Sequence, residues 1–284
     1  MLTTLKEVLA DARNNGYAVP AFDCVEDVMV RAILETCEAM RSPVVLMCLV
    51  GADLEGNGWA YVPGLIKAVG DFHDIPVVLH LDHATELDSI KTAVDCGFTS
   101  VMIDGSMLPF DKNVEITKAT AEIAHPKGIS VEGELGWVGG FDLQARNTGQ
   151  PVLTEAKEVE KFVSMTGVNA LAVSIGTSHG VYESLPNLDI EKLKQLNEAS
   201  SAPLVLHGGS GTPDNQIQQA VRNGICKLNI YADCRAAMAK GLKISADSQT
   251  RPDPPAQQLF GPIKNEIAKV VKNKIGLVLS AGRV

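Results

Sequence analysis

The sequence predicts a (β/α)₈ barrel, and three observations lead to that fold class. Eight short apolar runs recur along the chain, amphipathic segments separate them, and polar residues follow many of the runs. The runs are uniformly rich in Val, Ile and Leu rather than alternating, which is typical of parallel strands buried on both faces. The predicted strands are 17–22, 43–49, 76–81, 98–104, 129–134, 169–174, 203–207 and 225–230.

The segments between these strands have the periodicity of amphipathic helices. They cover residues 25–41, 60–73, 86–96, 111–125, 155–166, 189–199, 213–222 and 232–244. Strands that alternate with helices throughout the chain favour a closed α/β barrel, the TIM barrel. The alternative is a doubly wound open sheet, which would normally carry a G-x-G-x-x-G turn after its first strand. The sequence there reads AFDCVED at 21–27, which disfavours the open sheet.

Two further helices are expected outside the repeating pattern. One covers 3–13 and should close the bottom of the barrel, and the other covers 262–275 after a Pro-rich connector. The chain has 284 residues and is 45% hydrophobic, which is enough for one well-buried core. No domain boundary is visible, so we expect a single barrel domain over 1–284.

Charge and composition exclude several classes of function. The net charge is −9, and no Lys/Arg cluster suited to a phosphate backbone is present, so nucleic acid is not an expected partner. No apolar run approaches the ~18 residues that span a bilayer, and the N-terminus lacks the apolar core of a signal peptide. The six cysteines form no C-x-x-C pair and are interpreted as buried thiols in a reducing compartment. We therefore expect a soluble cytoplasmic protein with no membrane partner.

Polar residues cluster where the carboxyl ends of the predicted strands meet, which is the active-site face of this fold. One histidine there is explained by a bond to a backbone carbonyl, but three on separate strands indicate a shared ligand. Three imidazoles at a barrel mouth suit Zn²⁺ and leave a position open for substrate. The strand-end residues are His80, Asp82, His83, Asp104, Glu132, Glu134, His179, His207 and Asn229.

Two more features of this rim carry chemistry. Asp82 precedes His83 and can reach the rim where the strand breaks into a loop, so it is a candidate acid or base. Gly208, Gly209 and Ser210 run into a helix start, and exposed amides at a helix N-terminus favour a phosphate.

A long connection at 135–154 is the third feature. It contains four glycines and the charged residues Asp142 and Arg146. Long, glycine-hinged loops at an active-site rim often act as lids. A surface insertion without function is the alternative.

Six motifs in order along the chain carry a family resemblance. They are HLDHAT (80–85), SVMIDGS (100–106), SVEGELGWVGG (130–140), GTSHGVY (176–182), PLVLHGGSG (203–211) and GICKLNI (224–230). Together they closely resemble the class II, metal-dependent ketose-bisphosphate aldolases, which include the fructose- and tagatose-1,6-bisphosphate enzymes. The similarity extends from residue 18 to the C-terminal helix.

The resemblance implies a role for each matching residue. His83, His179 and His207 would hold the catalytic Zn²⁺, Glu134 would be an additional or alternate ligand, and Asp104 would serve a second metal position. Asp82 would exchange a proton with the C4 oxygen of the ketose. The residues implied in binding the dihydroxyacetone phosphate (DHAP) part of the substrate are Gly180, Gly208, Gly209, Ser210, Asn229, Ile230 and Ala232.

The family also predicts the partners and the reaction. It implies reversible cleavage of a phosphorylated ketose to DHAP and an aldehyde within carbohydrate metabolism or glycolysis, a Na⁺ or K⁺ ion near the phosphate, and a homodimer or homotetramer. Other readings are a non-catalytic partner subunit of an aldolase, which should lack the metal ligands, and a zinc hydrolase, which would not need the phosphate loop.

Several positions depart from the family pattern. Asp142 stands where the lid carries its catalytic glutamate, so we expect it to remove the C3 proton of DHAP. Met47, Cys48 and Leu49 end the second strand, and Ala268 aligns with a basic residue that faces the distal phosphate. We therefore hypothesise an aldolase for a ketose 1-phosphate without a distal phosphate, beside the bisphosphate substrate typical of the family.

Overall fold

The structure is a computed structural model that describes residues 1–51, 54, 56, 58–139, 151–178 and 185–284. Eight parallel strands close into a barrel in chain order, and β1 pairs with β8. The predicted (β/α)₈ barrel is confirmed, and the open sheet is excluded. The strands are β1 Val19–Asp23, β2 Val44–Leu49, β3 Val77–Ala84, β4 Ser100–Ile103, β5 Ser130–Leu135, β6 Ala170–Val173, β7 Leu204–Leu206 and β8 Ile225–Ile230.

The helices follow the predicted segments to within a few residues at most ends. They are α1 Leu5–Asn15, α2 Asp27–Ala39, α3 Gly58–Gly70, α4 Leu87–Cys96, α5 Phe110–Ala124, α6 Ala156–Thr166, α7 Ile190–Ala199, α8 Asp214–Arg222, α9 Ala232–Asp247 and α10 Ala256–Leu277. The largest difference is in α10, which begins at Ala256, six residues before its predicted start. Pro262, the first residue of the predicted helix, lies inside the observed one. A proline has no N–H for the carbonyl four residues back. Ser245 of α9 donates its hydroxyl to that carbonyl, on Gln258, at 3.5 Å.

The barrel interior is apolar in its lower half, at the amino ends of the strands. Helix α1 lies across this end and buries Leu5 and Leu9 against the interior side chains. Thr4 begins α1 with a capping box that includes Glu7, which satisfies amides at the helix start. The expectation that an N-terminal helix closes the barrel is confirmed. The interior strand residues of this cluster are Val19, Ala21, Val45, Met47, Val78, Ala170, Ala172, Val205 and Cys226.

A second and larger core lies between the outer face of the barrel and the surrounding helices. Helix α10 packs against α2 and α9, so the C-terminal helix belongs to this outer layer. Among the described residues, no helix combines the length and the apolar character needed to cross a membrane.

Candidate metal centre and active site

An irregularity in β3 brings two consecutive residues to the same site. The register between β3 and β4 shifts between Leu81 and Ala84, and His83 has a φ of 47°. Neighbouring side chains of a regular strand point to opposite faces, and an extra residue in the strand re-aims them. Asp82 Oδ2 therefore lies only 3.9 Å from His83 Nε2, although the two residues are adjacent in sequence.

Asp104, at the end of β4, holds the imidazole of His83. Its Oδ2 lies 2.9 Å from His83 Nδ1, and its Oδ1 accepts bonds from the amide and hydroxyl of Ser106. Both carboxylate oxygens are therefore engaged, and Nε2 is the nitrogen of His83 that faces Asp82. A carboxylate on one ring nitrogen of a histidine orients the other nitrogen toward a metal.

His207 follows β7 and lies directly beside His83. The two ring centroids are 4.7 Å apart in an edge-to-face arrangement. His207 Nδ1 is 3.3 Å from Glu134 Oε2, a buried oxygen that forms no hydrogen bond with any described residue. Ligands of a tetrahedral zinc ion at 2.0–2.1 Å stand about 3.3 Å apart, so this pair fits the ion.

The described residues contain two groups that offer clustered ligand atoms for a cation. Asp82, His83 and His207 form one group, and His83, Asp104 and Glu134 form the other, with all ligand atoms of each group within 4.8 Å of one another. Two imidazoles with carboxylates are a donor set that suits zinc.

The carboxylates around His83 and His207 favour a positive charge in the site. Burial disfavours a charged His207, but the hydrogen bond to Glu132 and the negative charges of Glu134 and Glu132 outweigh it and raise its pKa to about 10. Burial likewise opposes a charged His83, yet Asp82 and Asp104 raise its pKa to about 9. Without a metal, both rings are therefore protonated on both nitrogens and positively charged at neutral pH. A divalent ion can replace those protons among the same carboxylates.

A buried ion pair lies one layer deeper in the barrel. Glu132 Oε1 is 3.1 Å from His207 Nε2, and Glu132 Oε2 accepts from Lys227 Nζ at 2.9 Å. All three side chains are fully buried. Sequence reasoning assigned no role to Glu132 or Lys227. The available signal was a lysine inside a buried strand, two residues before Asn229 and therefore on the same face.

His80 completes this layer as a neutral imidazole. Its Nδ1 is 2.8 Å from Ser100 Oγ, and its Nε2 is 3.8 Å from both Asp82 Oδ1 and Glu132 Oε2. Burial, followed by the charge of Lys227, lowers the pKa of His80 to about 3. His80 is thus part of the packed interior below the candidate metal ligands.

Asp82 is a buried carboxylate that is 3% exposed. Its Oδ1 accepts a hydrogen bond from Asn229 Nδ2 at 3.3 Å. Burial opposes ionisation of Asp82, but the positive charges of His83 and Lys227 outweigh it and lower its pKa. Asp82 is therefore ionised at neutral pH and can accept a proton from a hydroxyl group in the site.

The glycines after His207 allow close approach of neighbouring backbone. Gly208 has a φ of 70°, and a Cβ there would lie 2.5 Å from the carbonyl oxygen of Ser178. A Cβ on Gly209 would lie 2.7 Å from the carbonyl oxygen of Asn229, which accepts the Gly209 amide at 3.0 Å. Both positions therefore require glycine.

Ser210 lies at the amino end of α9. Its Oγ accepts bonds from the amides of Tyr231 and Asp233, each at 3.2 Å. An oxygen acceptor at a helix N-terminus occupies the position that anions prefer. Ile230, which ends β8, is fully buried, and Ala232 begins α9.

A buried lysine from the C-terminal helix supports this loop. Lys274 Nζ donates to the Gly209 carbonyl at 3.0 Å and lies 2.7 Å from Asp233 Oδ2. Sequence reasoning missed Lys274, because nothing in the local pattern of α10 connects it to a loop 65 residues away.

Three predicted site residues, His179, Gly180 and Asp142, lie outside the described residues. The flanking residues of both segments are described. Ser178 packs its carbonyl against Gly208, which adjoins His207. Trp137 and Val152 exchange backbone hydrogen bonds at 2.8 and 2.9 Å beside the end of β5.

Comparison with known proteins gives one consistent result. A family profile described as fructose-bisphosphate aldolase class-II matches residues 3–283. A Giardia intestinalis protein named fructose-bisphosphate aldolase is 39% identical over 308 aligned positions, which cover 99% of this chain and 94% of that protein.

Solved structures agree with this result. The crystal structure of the YdjI aldolase from Escherichia coli K12 has a TM-score of 0.88 and 30% identity, covering 100% of this chain and 99% of that one. The fructose-bisphosphate aldolase from Campylobacter jejuni has a TM-score of 0.83 over 100% of this chain and 97% of that one. Its identity is 22%, so it supports the fold alone.

Proposed function

The chain belongs to the class-II fructose-bisphosphate aldolase family and is a class II aldolase, and from this premise we propose that it uses Zn²⁺ to cleave a phosphorylated ketose to DHAP and an aldehyde. One observation carries the proposal. His83, His207 and Glu134 converge at the barrel mouth, where the buried Glu134 Oε2 lies 3.3 Å from His207 Nδ1 without a hydrogen bond among the described residues.

The proposed zinc ligands are His83, His179 and His207, with Glu134 as an additional or alternate ligand. When bound, the ion would act as a Lewis acid on the substrate's carbonyl oxygen. The closeness of the Ser178 carbonyl to Gly208 supports the assignment of His179, because Ser178 directly precedes His179 and Gly208 directly follows His207. Asp104 orients His83 through Nδ1, and its service to a second metal position stays a prediction.

Asp82 is proposed as the proton acceptor during cleavage. It would take the proton of the C4 hydroxyl as the C3–C4 bond breaks and return it in the condensation direction. Its ionised state and its bond from Asn229 support this role. We propose that Asp142 transfers the C3 proton of DHAP; the described residues on either side of its segment, Trp137 and Val152, pair with each other beside the end of β5.

The phosphate of DHAP is proposed to bind at the loop after β7 and the start of α9. The position of Ser210 Oγ on the amides of Tyr231 and Asp233 supports this site. A Na⁺ or K⁺ ion beside the phosphate stays a prediction of the family resemblance. The other proposed contacts of this part of the substrate are Gly180, Gly208, Gly209, Asn229, Ile230 and Ala232.

We further propose a ketose 1-phosphate as substrate. Lys264 and Lys269, the lysines nearest Ala268 on α10, are bonded to Glu35 and Glu266 on the helix surface. Ala268 itself lines an outer groove between α10, α2 and α9. These contacts leave neither Lys264 nor Lys269 to a distal phosphate, and this supports a substrate without one.

The second candidate is a ketose 1,6-bisphosphate, which the name of the Giardia relative favours. A panel of both substrate classes, assayed for DHAP release with and without EDTA, distinguishes the two. We expect EDTA to abolish activity with every substrate and the ketose 1-phosphate to be preferred. A large preference for the bisphosphate would reject the ketose 1-phosphate, and full activity in EDTA of a protein with no bound metal would reject the zinc site.

A cytoplasmic location and a homodimeric or homotetrameric state are also proposals. Six free cysteines, five of them buried, support a reducing compartment. Light scattering of the purified protein would measure the oligomeric state.

A further inference from the structure

The ion pair between Glu132 and Lys227 lies beneath the proposed metal ligands and takes no part in the proposed reaction. We infer that this pair is a positioning device that fixes the ring of His207, so that Nδ1 faces the zinc ion. The inference rests on the proposed function, because it concerns a metal site.

The hydrogen bonds of Glu132 distinguish it from a metal ligand, because both of its carboxylate oxygens are already occupied. Each of its oxygens has a partner, His207 Nε2 at 3.1 Å and Lys227 Nζ at 2.9 Å. Glu134 is two residues further along β5, on the same face and about 6.6 Å further along the strand toward the rim. Its buried Oε2 forms no hydrogen bond with a described residue. The strand thus provides one carboxylate for a cation and one for a histidine.

When a metal ion replaces the second proton of His207, the bond to Glu132 determines which ring nitrogen keeps its N–H. A carboxylate accepts only, so Nε2 must be the N–H of the ring. A neutral imidazole has one N–H, which leaves the lone pair on Nδ1. That nitrogen faces Glu134 at 3.3 Å. Metal-binding histidines commonly donate their second N–H to a carboxylate, which orients the ring and raises metal affinity.

His83 is held in the opposite sense. Asp104 bonds its Nδ1 at 2.9 Å, which leaves Nε2 toward the site. The two rings, 4.7 Å apart, would therefore present different nitrogens to one ion. Each ring has its own carboxylate, and only that of His207 lies fully inside the barrel.

Lys227 keeps Glu132 in place. A lone carboxylate in a fully buried layer carries a large desolvation penalty, and a hydrogen-bonded lysine compensates it. Lys227 extends from β8 to a residue 95 positions away in sequence, on β5. Its ammonium group is thereby committed to Glu132.

Removing one member would leave a buried charge unpaired, so the test uses two double variants. Glu132→Gln with Lys227→Met removes both charges but keeps an oxygen that accepts from His207. Glu132→Leu with Lys227→Met removes both charges and the acceptor. Zinc dissociation constants are measured by chelator competition, and the thermal midpoint of each metal-free protein serves as the control for folding.

We expect the Gln variant to bind zinc within about threefold of the wild type and the Leu variant to bind it about 10- to 100-fold more weakly. Equal zinc affinity of all three proteins would overturn the positioning role and leave the proposed function intact. A wild-type protein that binds no zinc would overturn both.

A second measurement covers the case in which the Leu variant does not fold. The ¹⁵N imidazole spectrum of the zinc-loaded wild type reports which nitrogen of His207 is protonated. We expect a protonated Nε2 and a metal-bound Nδ1. The reverse assignment would overturn the inference whatever the variants do.

Discussion

The lower and upper halves of the barrel interior are equally buried and opposite in chemistry. The lower half holds Val45, Val78 and Val205 under α1, and the upper half holds buried ionisable groups such as Glu132 and Lys227. Apolar burial stabilises a fold by about 25 cal/mol per Å². Replacing a buried ion pair with well-packed apolar residues is often neutral or stabilising, so buried charges are weak evidence for a role in stability. Function therefore accounts for the upper half, whereas stability accounts for the lower half.

The change from one half to the other occurs within one step along the strands. Val78 and His80 are two residues apart on β3, and Val205 and His207 are two residues apart at β7, so each pair shares the interior face. The strands thus use the same alternation in both halves. The comparison indicates that the site is a layer of the barrel interior in which ionisable side chains stand in place of apolar ones. The apolar layer below supports it.

The largest effect should come from removing a ligand in the upper half. His207→Ala should lose zinc and lower kcat/KM by about 10³-fold or more, since a Lewis acid supplies several kcal/mol to the transition state. Metal analysis and a DHAP-release assay measure both. The Glu132–Lys227 pair persists in this variant, so circular dichroism should remain that of the wild type. Full zinc content in a folded variant would contradict the assignment of His207.

Asp82→Asn should separate proton transfer from metal binding. We expect turnover to fall by about 10²- to 10⁴-fold, because the amide cannot take the C4 proton, while zinc content stays at the wild-type level. The asparagine keeps an oxygen for the bond from Asn229. Loss of zinc would instead make Asp82 a ligand, which its place beside His83 and His207 allows.

Zinc affinity should rise with pH. The pKa values of about 9 for His83 and about 10 for His207 mean that zinc displaces protons from the metal-free site at neutral pH. Each displaced proton strengthens binding about tenfold per pH unit until the pH passes the pKa of that histidine. Competition titrations from about pH 6 to about pH 9 measure the slope. A dissociation constant independent of pH would contradict the proposed protonation of the two rings.

Sequence predicts those features that depend on the residues of a single strand, and not those that depend on contacts between strands. Uniform apolar runs predicted the strands because both faces of each strand are buried. Five of the predicted strand-end polar residues lie close together in the structure: Asp82, His83, Asp104, Glu134 and His207. The Glu132–Lys227 pair was not predictable, since its partners lie on β5 and β8 and meet only across a closed barrel. Asp82 and His83 face the same site because of a register shift in β3 and a φ of 47° at His83. No pattern of residues in the sequence predicts this backbone irregularity.

The smallest effect on the site should come from the lower half. Leu9→Ala removes a fully buried side chain of α1 and should lower the free energy of unfolding by about 2–5 kcal/mol through lost burial and a residual cavity. Zinc affinity and its pH slope should not change, because a packed apolar layer separates α1 from the ligands. Denaturant unfolding and chelator competition on the same preparation measure the two quantities. If Leu9→Ala weakened zinc binding as much as the Glu132→Leu and Lys227→Met double variant, the two layers would not be independent, and the geometry of His207 would depend on the whole barrel rather than on its carboxylate.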